Sequence, residues 1–217
     1  MPRSAPASSD PIEAIRHQLE ADACRILILG SPGSGKTVFS KALAAATGLP
    51  LHHLDDLHWG SQWTRPEAER WLALQCIVAA GPAWIIDGTY LDTLEVRMRR
   101  ATAVILLDLP TWRCLLGIVR RSCDRLVGRR ESLPRRVRAG APIRWRGLQW
   151  RLIRKVLTFR MRARRAILAQ TRAALEPGRL ILVRNRSQLA ALIKALGKPS
   201  AVAASTALTA WRKASPC

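Results

Sequence analysis

Residues 27–43 read LILGSPGSGKTVFSKAL. An apolar run ends in a glycine-rich turn, a lysine and a threonine, and a helical pattern follows. Gly30-Ser31-Pro32-Gly33-Ser34-Gly35-Lys36-Thr37 satisfies G-x-x-x-x-G-K-[ST]. Its glycines let backbone N–H groups turn inwards and approach an anion with no Cβ in the way. The loop hands that anion to a helix N-terminus, where free N–H groups and the helix dipole favour negative charge. Lys36 is placed to reach the β- and γ-phosphates of a nucleoside triphosphate, and the Thr37 hydroxyl to ligate Mg²⁺. Gly30 to Thr37, with Val38, are therefore the expected ATP-binding residues, with ATP and Mg²⁺ as the expected cofactors. A strand–loop–helix unit of this kind restricts the chain to an α/β fold with its ligand at the carboxyl ends of parallel strands.

The rest of the chain agrees with that restriction. RILIL (25–29), LHHLD (51–55), AWIID (83–87), AVILLDL (103–109) and RLILV (179–183) read as short buried strands. Helices are predicted between them. One runs over 38–47 and stops at Gly48 and Pro50. A second starts at a Thr64 cap, with Pro66 in its first turn and Glu67 completing a capping box. A short helix covers about 92–100, and another follows Pro110. Trp145, Leu148, Leu152, Val156 and Phe159 mark a long helix, and Ser187 caps the last one. Short apolar strands alternating with helices mean a five-stranded parallel sheet covered on both faces. Residues 1–22 read as an N-terminal extension, 23–197 as the folded domain and 198–217 as a flexible tail. Residues 128–145 interrupt the pattern as an arginine-rich excursion.

The formal charge of +21 is nearly all arginine, since only 6 of 36 basic residues are lysines. Such a balance suits polyanionic partners: nucleic acid, an acidic membrane surface or nucleotide phosphates. Five cysteines without C-x-x-C spacing read as reduced thiols. No run of apolar residues is long enough for a membrane span, and the first residues lack a secretory pattern. The expectation is a cytoplasmic protein without a membrane partner.

Magnesium on phosphates wants a nearby carboxylate. Asp87, ending a strand before Gly88, is the first choice, and Asp108 the alternative. His52, His53, Asp55, Asp56 and His58 lie together in sequence, but alternation along a strand prevents them from converging on a metal. Asp55 or Asp56 fits the acceptor site better, where a carboxylate takes a hydroxyl proton or grips a hydroxyl. Trp59 and Trp63 are candidates to stack on a base or sugar. Arginines that stabilise a transferring phosphoryl group are sought among Arg120, Arg121, Arg129, Arg130, Arg135, Arg136, Arg138, Arg160, Arg162, Arg164 and Arg165.

ILILGSPGSGKT, LHHLDDLHW, WIIDGTY, LEVRMRRATAVILLDLP and the basic segment with its long helix resemble, in this order, the adenylate-kinase-related P-loop proteins called DNA topology modulation proteins. The resemblance covers about residues 24–196. It implies a P-loop kinase core with strand order 2-3-1-4-5 and an arginine-rich lid over about 128–145. It implies an ATP-dependent kinase of the nucleoside monophosphate type. Lys36, Asp87, Arg129 and Arg130 would be catalytic, and Thr37 and Asp87 would lie on the metal. Asp55, Tyr90 and Arg97 would face a small phosphate acceptor. DRLVGRR (124–130) is similar to the lid entrance of adenylate kinases, but WIID is followed by Gly-Thr-Tyr and not Gly-Phe-Pro-Arg, which departs from an AMP site. DDLH also resembles gluconate kinases, where a sugar acid is the acceptor. The alternatives are therefore a kinase of small sugar acids or other hydroxyl compounds, and a nucleic-acid-binding protein that uses ATP as ligand or switch. The basic lid would carry the nucleic acid.

Overall fold

The structure, a computed structural model, describes residues 24–60, 63–126, 134, 137, 145–175 and 179–196. Five strands form one parallel sheet: β1 (Arg25–Gly30), β2 (Leu51–His53), β3 (Trp84–Asp87), β4 (Ala103–Leu107) and β5 (Leu180–Val183). Their order is β2-β3-β1-β4-β5. This is the order implied by the resemblance, with the glycine-rich loop between β1 and α1 (Lys36–Thr47).

Both faces of the sheet are covered, so the strands are apolar throughout and not alternating. Ile26 and Ile28 of β1 point to one face with Phe39 and Leu43 of α1 and Leu192 of α8 (Arg186–Leu196). Leu27 and Leu29 point to the other, with Trp71 of α3 (Ala68–Ala79), Leu94 and Met98 of α4 (Leu94–Met98) and Ile167 of α7 (Ala163–Ala174). The period of two in β1 and the spacing of four in α1 are what let one sequence fill both layers. A third cluster joins Leu109, Cys114 and Ile118 at the start of α5 (Thr111–Leu126) to Val156 of α6 (Trp145–Phe159).

Four local expectations change. The second strand stops at His53 and Leu54–His58 forms a short helix, α2. The capping box at Thr64 does not form. Trp63 takes φ 59°, the Thr64 carbonyl accepts from Gly60 N–H at 3.0 Å, and the helix begins at Ala68. The long helix is two, α6 and α7, parted at Arg160–Arg162. The last helix is capped by Asn185, whose carboxamide oxygen accepts from Gln188 N–H at 2.8 Å and from the Ser187 hydroxyl at 2.7 Å. The arginine-rich lid falls largely outside the described residues.

Candidate active site

Gly30, Gly33 and Gly35 take φ 153°, 76° and 88°, which curls the loop around the N-terminus of α1. Gly33 also answers a steric demand. A Cβ there would lie 2.0 Å from the Cys114 carbonyl, and one on Gly117 would lie 2.2 Å from the Gly33 carbonyl. The loop is thus seated backbone to backbone on α5. The first turn of α1 carries no acidic residue and no side-chain cap, so its N–H groups are left for an anion. The Ser31 and Ser34 hydroxyls are buried with no protein partner. The Lys36 ammonium donates to the carbonyls of Gly30 and Ser31, each at 2.9 Å. Burial lowers its pKa, and the carboxylates of Asp87 and Asp55 act against that shift. These features fit the phosphates of a nucleotide. Pro32 is half-buried, and the Val38 side chain is exposed.

Asp87 is buried at the end of β3, where it pairs in register with Ile28 of β1 and His53 of β2. One carboxylate oxygen, Oδ2, accepts from the Thr37 hydroxyl at 3.1 Å and from Ser40 at 3.4 Å, and lies 3.2 Å from His53 Nδ1. Thr37 and Asp87, chosen for the metal side, are therefore neighbours. His53 was not among the chosen site residues. Only the β2–β3 register brings it there, and register is not written in either strand alone.

Asp108 is committed elsewhere. It is buried, its Oδ2 accepts from Arg164 Nε at 2.9 Å, and Arg160 stands 3.7 Å from Oδ1. It anchors the start of α7. Asp108→Asn is expected to lower unfolding free energy by about 1–3 kcal/mol in urea titration while ATP affinity stays unchanged.

The acceptor side lies at the ends of β2 and β3. Asp55, in the first turn of α2, accepts from the Tyr90 hydroxyl at 2.6 Å. Burial first, then Asp55, pushes the Tyr90 phenol well above its ordinary range, so it remains a donor. The His58 ring lies 4.7 Å from both Trp71 and Tyr90 and 4.9 Å from Trp59. Trp63 meets Trp59 edge-on at 5.3 Å, and the Arg65 guanidinium sits 5.1 Å over the Trp59 ring. The two tryptophans thus stand together beside Asp55's helix.

His58 has a pKa lowered by burial and by the cations Arg65 and Lys155, with Asp55 opposing. His52 is lowered by burial and by His53. Both are favoured neutral in the folded state. As pH falls through about 6.5 the unfolded imidazoles take up protons that the folded ones resist, so stability is lost in that window. The urea midpoint is expected to fall between about pH 7.5 and about pH 5.5, and His58→Phe to flatten part of that slope.

Arg97 departs from its expected role. It is fully buried, and its guanidinium donates to the carbonyls of Gly88 at 2.7 Å, Thr89 at 3.3 Å and Tyr90 at 2.8 Å. Burial brings its pKa down to about 9, which leaves it charged at neutral pH. It holds the loop that carries Tyr90. The Thr89 hydroxyl donates to Gly30 O at 2.9 Å, tying that loop to the phosphate loop. Arg129 and Arg130 lie outside the described residues. Among the other arginines the fold singles out Arg121. It lies one turn beyond Gly117 on the stripe of α5 that meets the phosphate loop. Burial lowers its pKa, Asp55 raises it, and its charge acts on Lys36.

No protein-family model matches the chain, and no curated protein matches it. Solved structures similar to it include a sugar kinase from Janibacter sp. HTCC2649, 18% identical over 79% of this chain and 91% of its own, with a TM-score of 0.40. A gluconokinase from Sinorhizobium meliloti 1021 is 16% identical over 90% of this chain and 100% of its own, with a TM-score of 0.46. Neither likeness bears on activity. Among the described residues no group of three or more His, Cys, Asp and Glu could hold a metal ion by itself. A metal bound on nucleotide phosphates does not need one.

Proposed function

We propose that the protein is an ATP-dependent phosphotransferase that passes the γ-phosphate of ATP to a small acceptor. The observation that carries this reading is the meeting of Lys36, Thr37 and Asp87 at one point of the phosphate loop. A donor half of the nucleoside monophosphate kinase type is what the resemblance implies. Membership of the DNA topology modulation proteins belongs to the same proposal and rests on the quoted residues.

The roles follow from charge and position. Backbone N–H groups of Gly30–Thr37 and the Lys36 ammonium neutralise and orient the donor phosphates. Thr37 and Asp87 would hold Mg²⁺, which supplies charge neutralisation on the phosphates when bound. His53 and Ser40 keep the Asp87 carboxylate in place. Asp55, oriented by Tyr90, accepts the proton of the attacking acceptor hydroxyl. Arg121, whose charge is felt at Lys36 and which feels that of Asp55, stabilises charge on the transferring group. Exclusion of water from these groups is what lets the acceptor be phosphorylated while ATP is not hydrolysed.

Two features favour a hydroxyl acceptor over a nucleotide phosphate. The acceptor side is centred on a carboxylate, which can take the proton of an attacking hydroxyl, whereas an acceptor phosphate brings no such proton to remove. Arg97, which an acceptor phosphate would have used, is spent on three carbonyls. The cations Arg65, Lys155 and Arg121 around Asp55 and His58 suit a hydroxyl compound with an anionic group, such as a sugar acid.

The test is ADP release with Mg²⁺ against sugar acids, neutral polyols, nucleoside monophosphates and short duplex DNA. Stimulation by a hydroxy acid is expected, and chelation of the metal is expected to abolish it. Stimulation by a nucleoside monophosphate alone would overturn the hydroxyl acceptor but keep the kinase. Stimulation by DNA alone, or ATP binding without turnover, would overturn the kinase reading.

A further inference from the structure

Helix α5 shows two apolar faces. Cys114 and Ile118 turn inwards, whereas Trp112, Leu116 and Val119 are 58%, 57% and 58% exposed. These three recur at intervals of four and three, so they line one stripe, which exposed Cys123 extends. Arg120 is exposed beside the stripe, and the Arg113 guanidinium lies 5.1 Å over the Trp112 ring. Helix α6 repeats the arrangement. Val156 and Phe159 are buried, Trp150 and Leu157 are exposed seven residues apart, and exposed Arg151 and Arg154 lie next to them. Met161, just past its end, is exposed too.

The charge on these two helices is nearly all of one sign. Together α5 and α6 carry 8 basic residues and one acidic residue, Asp124. Solvated surface helices keep their outer face polar and mix their charges. Here an apolar stripe stays outside and the charge beside it is almost all basic.

We propose that the exposed face of α5 and α6 is a docking surface for an anionic lipid bilayer. Tryptophan with leucine, valine and methionine, flanked by arginine, is the composition of helices that lie in a membrane interface. The arginines meet the headgroup charge and the apolar stripe enters the acyl boundary. Nucleic acid would use the arginines but has no place for Leu116, Val119, Leu157 and Met161, because its backbone is charged and its bases want aromatic stacking. Among the described residues no helix is long and apolar enough to cross a membrane, so the contact is peripheral.

The full chain is to be sedimented with phosphatidylcholine vesicles with and without phosphatidylglycerol, at low and moderate salt. Binding is expected only to the anionic vesicles and is expected to weaken, without vanishing, as salt rises. Trp112→Ser and Trp150→Ser are each expected to lower partition about tenfold, and Arg120→Ser with Arg154→Ser to lower it further. Circular dichroism checks folding. Should a substitution in α5 prevent folding, Trp150→Ser and Leu157→Ser in α6 carry the same test. No binding to anionic vesicles would overturn the proposal, as would binding that the tryptophan variants leave intact. A concentration-dependent dimer dissolved by the same variants, without vesicle binding, would assign the face to a second copy. Duplex DNA bound through the same tryptophans, without vesicle binding, would assign it to nucleic acid.

Discussion

Lys36→Ala is expected to lower phosphotransfer by about a hundredfold to a thousandfold, in keeping with the loss of one preorganised charge at a developing anion. Lys36 gives the loop its only mobile positive charge, and no other lysine lies in the glycine-rich turn. The fold should survive. The ammonium bonds only to two carbonyls of its own loop, at Gly30 and Ser31, and the helix it begins is held to the sheet by Phe39 and Leu43. The measurement is kcat with the best acceptor, with a thermal melt as folding control. A variant that melts normally and keeps a near-normal rate would remove the phosphotransferase reading. Lys36→Arg should not rescue, because the longer planar guanidinium does not replace a compact ammonium in a loop this tight.

Arg97→Ala is expected to cost about 3–5 kcal/mol of unfolding free energy. The truncation leaves a cavity under α4 and strips charged donors from the carbonyls of Gly88, Thr89 and Tyr90. It should also disturb the acceptor side, since Tyr90 orients Asp55 and Thr89 holds Gly30. Urea titration gives the stability loss, and steady-state kinetics should show KM for the acceptor rising more than kcat falls. Arg97→Lys keeps the charge but not the fork, and is expected to recover part of the stability. Loss of acceptor affinity with no loss of stability would restore the role implied by the resemblance, with Arg97 facing the acceptor.

These two residues mark what kinds of information the chain carries locally. Lys36 is legible because its function depends on neighbours within eight positions, Gly30 to Thr37, whose backbone geometry is set by glycine. Arg97 is illegible. The resemblance turns Arg97 toward the acceptor, and nothing local in LEVRMRR shows that α4 packs this side chain into the core, where it holds a strand-end loop. Thr64 fails in the opposite way. Its local pattern is a good helix start, but the Gly60–Thr64 turn takes its backbone, and the helix waits until Ala68. Asp87 and Asp108 look alike in sequence, each ending an apolar run. Both lie at the ends of strands that flank β1, but Asp87 meets Thr37 and Ser40 of α1, whereas Asp108 meets Arg164 of α7.

By itself the sequence determined the alternation of strands and helices, the parallel sheet, the phosphate loop and the place of Asp87 at a strand end. Each depends on periodicity or on a contiguous motif, so a few neighbouring residues carry the whole signal. Tertiary structure decided the convergence of Thr37, Ser40 and His53 on one oxygen of Asp87, the burial of Arg97, the pairing of Asp108 with Arg164, the selection of Arg121 among many arginines and the apolar stripes left outside α5 and α6. Those outcomes depend on strand register and on the rotation of each helix about its axis. Both are set by packing between segments far apart in the chain, where no local pattern can record them.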